Sequence, residues 1–252
     1  MKFGFILGPD YSGTTEIALE LARTGDFQVP RPRGLDFFSL KCPGIIIPSG
    51  LYKKHTTIAP ASYMKLFRKL KKEPAIDASE SYFYWPWAVQ LIERYIHKAK
   101  YVLVIREPIA RLTHQYLDGP KRQPPIKDIL EQEVRWRRNA IYPWHDVHNR
   151  LHQCQYDTFI EHILTIVNDS DRVLFVKWED YVQNTVVEMA RIQYFLGGPE
   201  LMFPERHDER YYQPLDSVFD DHSRKLIWRF AAPRYSAIEK LTGLNLESWL
   251  RA

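Results

Sequence analysis

Three groups of residues in this chain are of types and spacings that could do chemistry. Gly8-Pro9-Asp10-Tyr11-Ser12-Gly13, followed by Thr14-Thr15, is a turn of small and polar residues. Backbone N–H groups in such a turn form a nest for an anion, and glycine lets the backbone approach it closely. Arg106 follows directly on Tyr101 to Ile105, the most continuous apolar run in the chain, and Arg111 comes a few residues later. An arginine at a strand end offers a planar, permanently charged fork suited to a terminal phosphate. Asp77 and Glu80 are carboxylates three apart, of the kind that can take a proton from a hydroxyl.

Elements must hold these groups in place. Phe3 to Leu7 has the length and apolar character of a strand, and Thr14 onward reads as a helix with Ile17 and Leu21 on its apolar side, ended by Thr24-Gly25-Asp26. Strand, glycine-bounded turn, helix is the arrangement of a phosphate-binding loop. The spacing Gly8-x4-Gly13 is that of a Walker A loop, but Thr14-Thr15 stands where Lys-Ser is required, and the cation that reaches the β- and γ-phosphates of a nucleoside triphosphate is missing. A P-loop kinase is therefore disfavoured, with Glu179-Asp180 only a weak candidate for its acidic motif.

Farther along, Tyr63 to Lys72 patterns as an amphipathic helix, Pro74 to Trp85 as a short buried strand ending in a polar turn, and Ala88 to Lys98 as a helix. Asp77 and Glu80 then lie near a strand's carboxyl end, where open α/β sheets place their ligand crevice. Ile126 to Arg138 and Tyr156 to Val167 read as helices, Arg172 to Val176 as a strand, and Thr185 to Leu196 as a helix closed by Gly197-Gly198. Alternating strands and helices predict one α/β domain over residues 1–252, a P-loop-like central parallel sheet flanked by helices.

Composition narrows the function classes. At 252 residues, 45% hydrophobic and 26% charged, the chain is an ordinary globular one with ample material for a core. Seven Trp and fifteen Tyr suit either an aromatic core, the favoured reading, or a cleft that stacks on a base or sugar. A net charge of +4 fits an anionic ligand and is too mild for nucleic acid. Two cysteines make no disulfide framework, and neither a membrane span nor a signal peptide is legible, so a cytoplasmic location is expected. His148 and His152 share a helical face at a spacing that could hold zinc, but with no H-E-x-x-H they read as exposed polar residues, and no metal is expected.

The run Ser12-Gly13-Thr14-Thr15 resembles the 5′-phosphosulfate loop of sulfotransferases that use 3′-phosphoadenosine 5′-phosphosulfate (PAPS). Arg106-Glu107-Pro108-Ile109-Ala110-Arg111 through His114 to Tyr116 is similar to that family's 3′-phosphate motif. Tyr156-x-x-Phe159 and Lys177-Trp178-Glu179-Asp180-Tyr181 are similar to members of the carbohydrate and heparan-sulfate type. The resemblance covers essentially the whole chain. It implies a PAPS-dependent sulfotransferase acting on a hydroxyl, more readily of a saccharide than of a phenol. Tyr11 to Thr15 would hold the 5′-phosphosulfate and Arg106 with Thr113 or His114 the 3′-phosphate, while a loop with Arg206, Arg210, Tyr211 and Tyr212 as candidates would bring cations to the 3′-phosphate and pack near the nucleotide. Asp77 occupies the family's base position, with Glu80 as the alternate.

One departure bears on activity. The family's loop carries Lys or Arg two residues before its glycine, and here that residue is Tyr11. Three explanations stand open: a cation from elsewhere (Arg33, Lys41, Lys53 or Lys54), Tyr11 itself as donor, or a sulfotransferase-like nucleotide-binding or interaction protein with altered or lost activity.

Overall fold

Four short apolar runs pair side by side, all parallel, among the described residues: β1 (Phe3–Leu7), β2 (Ala75–Asp77), β3 (Lys100–Ile105) and β4 (Val173–Lys177), in the order β2-β1-β3-β4. The structure is a computed structural model that describes residues 2–30, 34–39, 60–67, 74–138, 149–199 and 218–251. Phe5 sits opposite Asp77 on one side and Tyr101 on the other, and Ile105 reaches Lys177. The chain passes from β1 outward to β2 and then returns to the far side of β1 as β3. The strand order therefore reverses between β1 and β3, the place where open α/β sheets carry their ligand crevice.

Helices cover both faces. They are α1 (Thr14–Thr24), α2 (Pro60–Phe67), α3 (Ser81–Tyr84), α4 (Pro86–Tyr95), α5 (Pro108–Leu117), α6 (Ile126–Arg138), α7 (Tyr156–Val167), α8 (Trp178–Gln183), α9 (Thr185–Leu196), α10 (Asp221–Ala231) and α11 (Tyr235–Thr242). Alternate strand residues feed opposite layers, as the two-residue side-chain period requires. Phe3, Phe5, Leu7, Tyr101, Leu103 and Ile105 face α4, α7 and the C-terminal helices, while Ile6, Ile76, Val102, Val104 and Val176 face α1 and α9. Burying each such side chain is worth about 1.5–3 kcal/mol.

The aromatic excess goes largely into the first layer. Phe3, Phe5, Phe38, Tyr63, Phe67, Tyr82 and Tyr101 form one run of ring contacts. A core accounts for them without a stacked ligand.

Several elements differ from the sequence reading. The helix expected from Tyr63 to Lys72 begins at Pro60 and is described to Phe67. Beyond Asp77 the chain leaves the sheet instead of continuing as a strand, because the Tyr82 and Phe83 amides donate to the Ser79 and Glu80 carbonyls and start a helical turn. The next helix starts two residues early, at Pro86, whose fixed φ suits a first helical position. β4 runs one residue late, since residues 170–172 are wound into a 3₁₀ turn capped by Asp169.

Candidate active site

The turn after β1 is shaped by two residues with left-handed backbone, Tyr11 (φ 65°) and Gly13 (φ 93°). Gly13 is the residue before α1, and no side chain caps the helix there. Its first turn is thus open at the positive end of the helix dipole, with no capping side chain over it. A Cβ on Gly13 would sit 2.1 Å from the Trp178 ring, so the turn also needs glycine for space.

Residues far away in sequence set the turn's outer part. The Asp10 amide donates to the Tyr84 hydroxyl (2.9 Å), and Gln153 Nε2 donates to Asp10 Oδ2 (3.0 Å). Arg111 is fully buried and donates to the Tyr156 hydroxyl (3.0 Å), Gln153 Oε1 (3.0 Å) and the Asp10 carbonyl (3.4 Å). It holds the loop from behind, and its guanidinium is consumed in doing so.

The turn after β3 carries Arg106. Its Nη1 donates to the Tyr11 carbonyl (3.1 Å), its guanidinium lies 5.9 Å from the Trp178 ring centre, and its Nε is buried with no partner among the described residues. Burial pulls its pKa down from the usual arginine range. A buried guanidinium with donor capacity to spare is built to meet an anion. The next residue, Glu107, caps α5 by accepting from the Ile109 (2.9 Å) and Ala110 (2.5 Å) amides. Its own amide donates to Glu179 (2.9 Å), and the other Glu179 oxygen accepts from Trp249. Glu179 is thereby a structural carboxylate, which removes the weak case for a kinase-type acid.

Both turns open on a cavity of about 700 Å³, whose walls include Asp10, Tyr11, Gly13, Thr15, Glu80, Arg106, His114, Gln115, Asp118 and Arg150. A second cavity of about 280 Å³ shares Asp10, Thr15 and Glu80, and adds Gly34, Asp36, Ala78, Ser81 and Tyr84. The two meet at Glu80, whose Oε1 accepts from the Thr14 hydroxyl (2.9 Å). Burial, then the nearby Asp10 charge, pushes the Glu80 pKa up to about 7.

The sequence candidates separate here. Tyr11, Gly13, Thr15, Glu80, Arg106 and His114 line the larger cavity. Ser12 and Thr14 are buried beneath the loop, the Ser12 hydroxyl without a partner among the described residues. Asp77, expected at the base position, lines neither cavity. It is fully buried and accepts from the hydroxyls of Ser79 (2.5 Å), Tyr63 (2.9 Å) and Tyr82 (3.1 Å). The residue is the last of β2 and points into the aromatic layer, where burial lifts its pKa to about 6 against those three bonds.

Thr113 is likewise turned inward, its hydroxyl donating to the Ile109 carbonyl (2.8 Å) of its own helix. His114 faces the cavity, and burial and then Arg106 lower its pKa to about 4, which leaves a neutral ring that can donate one hydrogen bond. Tyr11 donates to Asp118 (3.0 Å), and burial with that bond raises its pKa to about 12. Its hydroxyl is neutral and already committed, so Tyr11 does not supply what a loop cation would.

Arg206, Arg210, Tyr211, Tyr212, Arg33, Lys41, Lys53, Lys54 and His148 lie outside the described residues. No group of three potential metal ligands occurs among the residues that are described. The sequence reading missed Asp36, Asp118 and Arg150, each brought to the cavities by packing with no local motif to signal it.

The family model for the sulfotransferase domain matches residues 60–213, more than half of the chain. The chain belongs to the sulfotransferase domain family. Its fold agrees with that of a sulfotransferase from Alicyclobacillus acidocaldarius at a TM-score of 0.76 and 21% identity, over 100% of this chain and 99% of the other. The sulfotransferase domain from the curacin biosynthetic pathway matches at 0.51 and 14% identity, over 99% and 95% of the two chains. That of the Synechococcus PCC 7002 olefin synthase matches at 0.51 and 19%, over 98% and 89%. No curated protein matches the chain. This sulfotransferase shares with these structures a parallel sheet flanked by helices, and no helix among its described residues is long and apolar enough to cross a membrane.

Proposed function

We propose that this sulfotransferase is a single catalytic domain that moves the sulfuryl group of PAPS to a hydroxyl, most simply of a saccharide, with Glu80 as the base. One observation carries the reading. The uncapped N-terminus of α1 and the partly unpartnered guanidinium of Arg106 face one cavity, and Glu80 stands where that cavity meets a second one.

The α1 amides and the hydroxyls of the loop suit the 5′-phosphosulfate. Arg106 and the neutral His114 suit the 3′-phosphate, one by charge and one by a hydrogen bond. The smaller cavity offers the oxygens of Asp36, Ser81 and Glu80. Such acceptors fit a ligand rich in hydroxyls, which is the support for a saccharide.

In the reaction the acceptor oxygen attacks sulfur while Glu80 takes its proton. The bond from sulfur to the 5′-phosphate oxygen breaks, and adenosine 3′,5′-bisphosphate leaves with the electron pair. A carboxylate poised near neutrality both ionises at working pH and accepts a proton with useful driving force. Asp77 serves this site indirectly, by fixing Ser79 and the end of β2 just before Glu80. The free thiol of Cys154, buried in the core, is consistent with a reducing, cytoplasmic setting.

Calorimetric titration with adenosine 3′,5′-bisphosphate tests the donor half. Losing charge-assisted bonds worth about 1.5–3 kcal/mol, Arg106→Ala should weaken binding by roughly 10- to 100-fold, with ATP a poor ligand throughout. No binding by the wild-type chain, or preference for ATP, overturns the reading.

A further inference from the structure

The loop that would hold a phosphosulfate brings no cation of its own, since residues 8–15 contain neither Lys nor Arg. The cavity around it is short of positive charge as well. Asp10, Glu16, Glu80 and Asp118 line it, against the guanidiniums of Arg106 and Arg150 among the described residues. Arg106 is bound to the Tyr11 carbonyl and packs against Trp178, beside His114. That leaves Arg150.

Arg150 is placed beside the loop by the same group that holds the loop. The Arg111 guanidinium donates from Nη1 to the Asp10 carbonyl (3.4 Å) and from Nη2 to the Arg150 carbonyl (3.5 Å). Asp10 and Arg150 are thus clamped together by one rigid fork. The Arg150 amide is fixed in turn by Glu133 (3.0 Å).

Its side chain is much less committed than its backbone. Its guanidinium forms a loose ion pair with the buried Glu133 carboxylate at 3.7 Å, too long for a hydrogen bond, and that Glu133 oxygen already accepts the Arg150 amide. Arg150 Nε is buried without a partner among the described residues. An arginine that lines the cavity with a buried donor to spare, beside an anion cradle with no cation of its own, has a ready use.

We propose that Arg150 supplies the positive charge for the 5′ end of the donor nucleotide, the charge that Tyr11 does not bring. The assignment rests on the donor reading above and adds to it a binding residue from a segment that no sequence motif marks. It divides the nucleotide between two arginines: Arg106 at the 3′-phosphate, Arg150 at the 5′ group on the loop.

Ligand dissection tests this division without knowledge of the acceptor. Calorimetry with adenosine 3′,5′-bisphosphate and with adenosine 3′-monophosphate compares ligands that differ only at the 5′ end. Arg150→Gln should weaken the bisphosphate about 10- to 100-fold, the value of a lost charge-assisted pair, and leave the 3′-monophosphate unchanged. The unchanged ligand also reports that the variant is folded. Arg150→Lys should retain part of the affinity, and Tyr11→Lys added to Arg150→Gln should restore most of it by returning a cation to the loop.

Equal weakening of both ligands, no weakening of either, or a double variant no tighter than Arg150→Gln alone overturns the assignment while leaving the donor reading intact. A wild-type chain that binds neither nucleotide overturns the donor reading, and Arg150's role with it.

Discussion

β1 and β3 are neighbours in the sheet, run the same way, and each passes through a short turn into a helix, yet the two turns end oppositely. After β1 the helix begins at a left-handed glycine with no side chain over its first amides. After β3 the helix begins with Glu107 folded over it, accepting from two of its amides while Glu179 takes the amide of Glu107 itself. One helix N-terminus is left open and the other is closed from within the chain. The open one can take a foreign anion. The closed one has its amides satisfied, and what it presents to the cavity is Arg106. The pairing gives a single cavity both a dipole and a charge, without two helix ends competing for one ligand.

The largest expected effect lies where the open turn touches the segment that follows β2. Thr14 of the open turn donates to Glu80, a link with no counterpart at the closed turn. Glu80→Gln keeps the shape and a hydrogen-bond acceptor for Thr14 but cannot take a proton. Turnover of PAPS with saccharide acceptors should fall by about 10²- to 10⁴-fold, the usual worth of general-base catalysis, while adenosine 3′,5′-bisphosphate binds as before. With its pKa near 7, the wild-type rate should fall as pH drops below about 7 and protonates the base. That acidic limb should vanish in the variant. A surviving limb would place the base elsewhere.

The open turn is also the less forgiving in space. Gly13→Ala would force a side chain into left-handed backbone and against the Trp178 ring at 2.1 Å. The two penalties together should cost about 3 kcal/mol, read as a lower urea midpoint at unchanged slope. Nucleotide affinity should fall with it, because the Trp178 ring that must move also packs on Arg106. An alanine variant of wild-type stability would mean that the turn is not tied to Trp178 as described.

How much of this was legible in the sequence follows from the range of the contacts. The open turn, its strand and its helix are contiguous, so Phe3–Leu7 and Thr14–Thr24 could be read directly, and Arg106 stood out because β3 is an unbroken apolar run. Asp77 and Glu80 could not be told apart. Their difference depends on Tyr63 and Tyr82 closing over one carboxylate and Thr14 reaching the other, contacts fixed by packing and not by spacing. Arg150 was invisible for the same reason, since the Arg111 fork and the Gln153–Asp10 bond that join its segment to the loop are set by packing. Thr113 illustrates the converse. Its hydroxyl fitted a phosphate ligand by position, but a buried helical threonine satisfies itself on the carbonyl four residues back.

The smallest effect tests the closed turn alone. Glu107→Gln retains one oxygen for the α5 amides but replaces the other with a donor, which faces an amide that also donates. The lost cap bond should cost about 1 kcal/mol, and because Arg106 and its Tyr11 contact are untouched, nucleotide binding should hardly move. The pH dependence gives a second reading. Burial raises the Glu107 pKa from its ordinary carboxylate value to about 7, so between pH 4.5 and 7 the folded chain holds a proton that the unfolded chain has released. Folding stability from this group therefore falls as pH rises through that window and is level above it. Urea unfolding at pH 5 and pH 7.5 should show the wild type losing stability toward the higher pH, and Glu107→Gln losing less. An unchanged pH slope would mean that the carboxylate closing α5 is ionised throughout, and that the two turns differ less in their electrostatics than their geometry indicates.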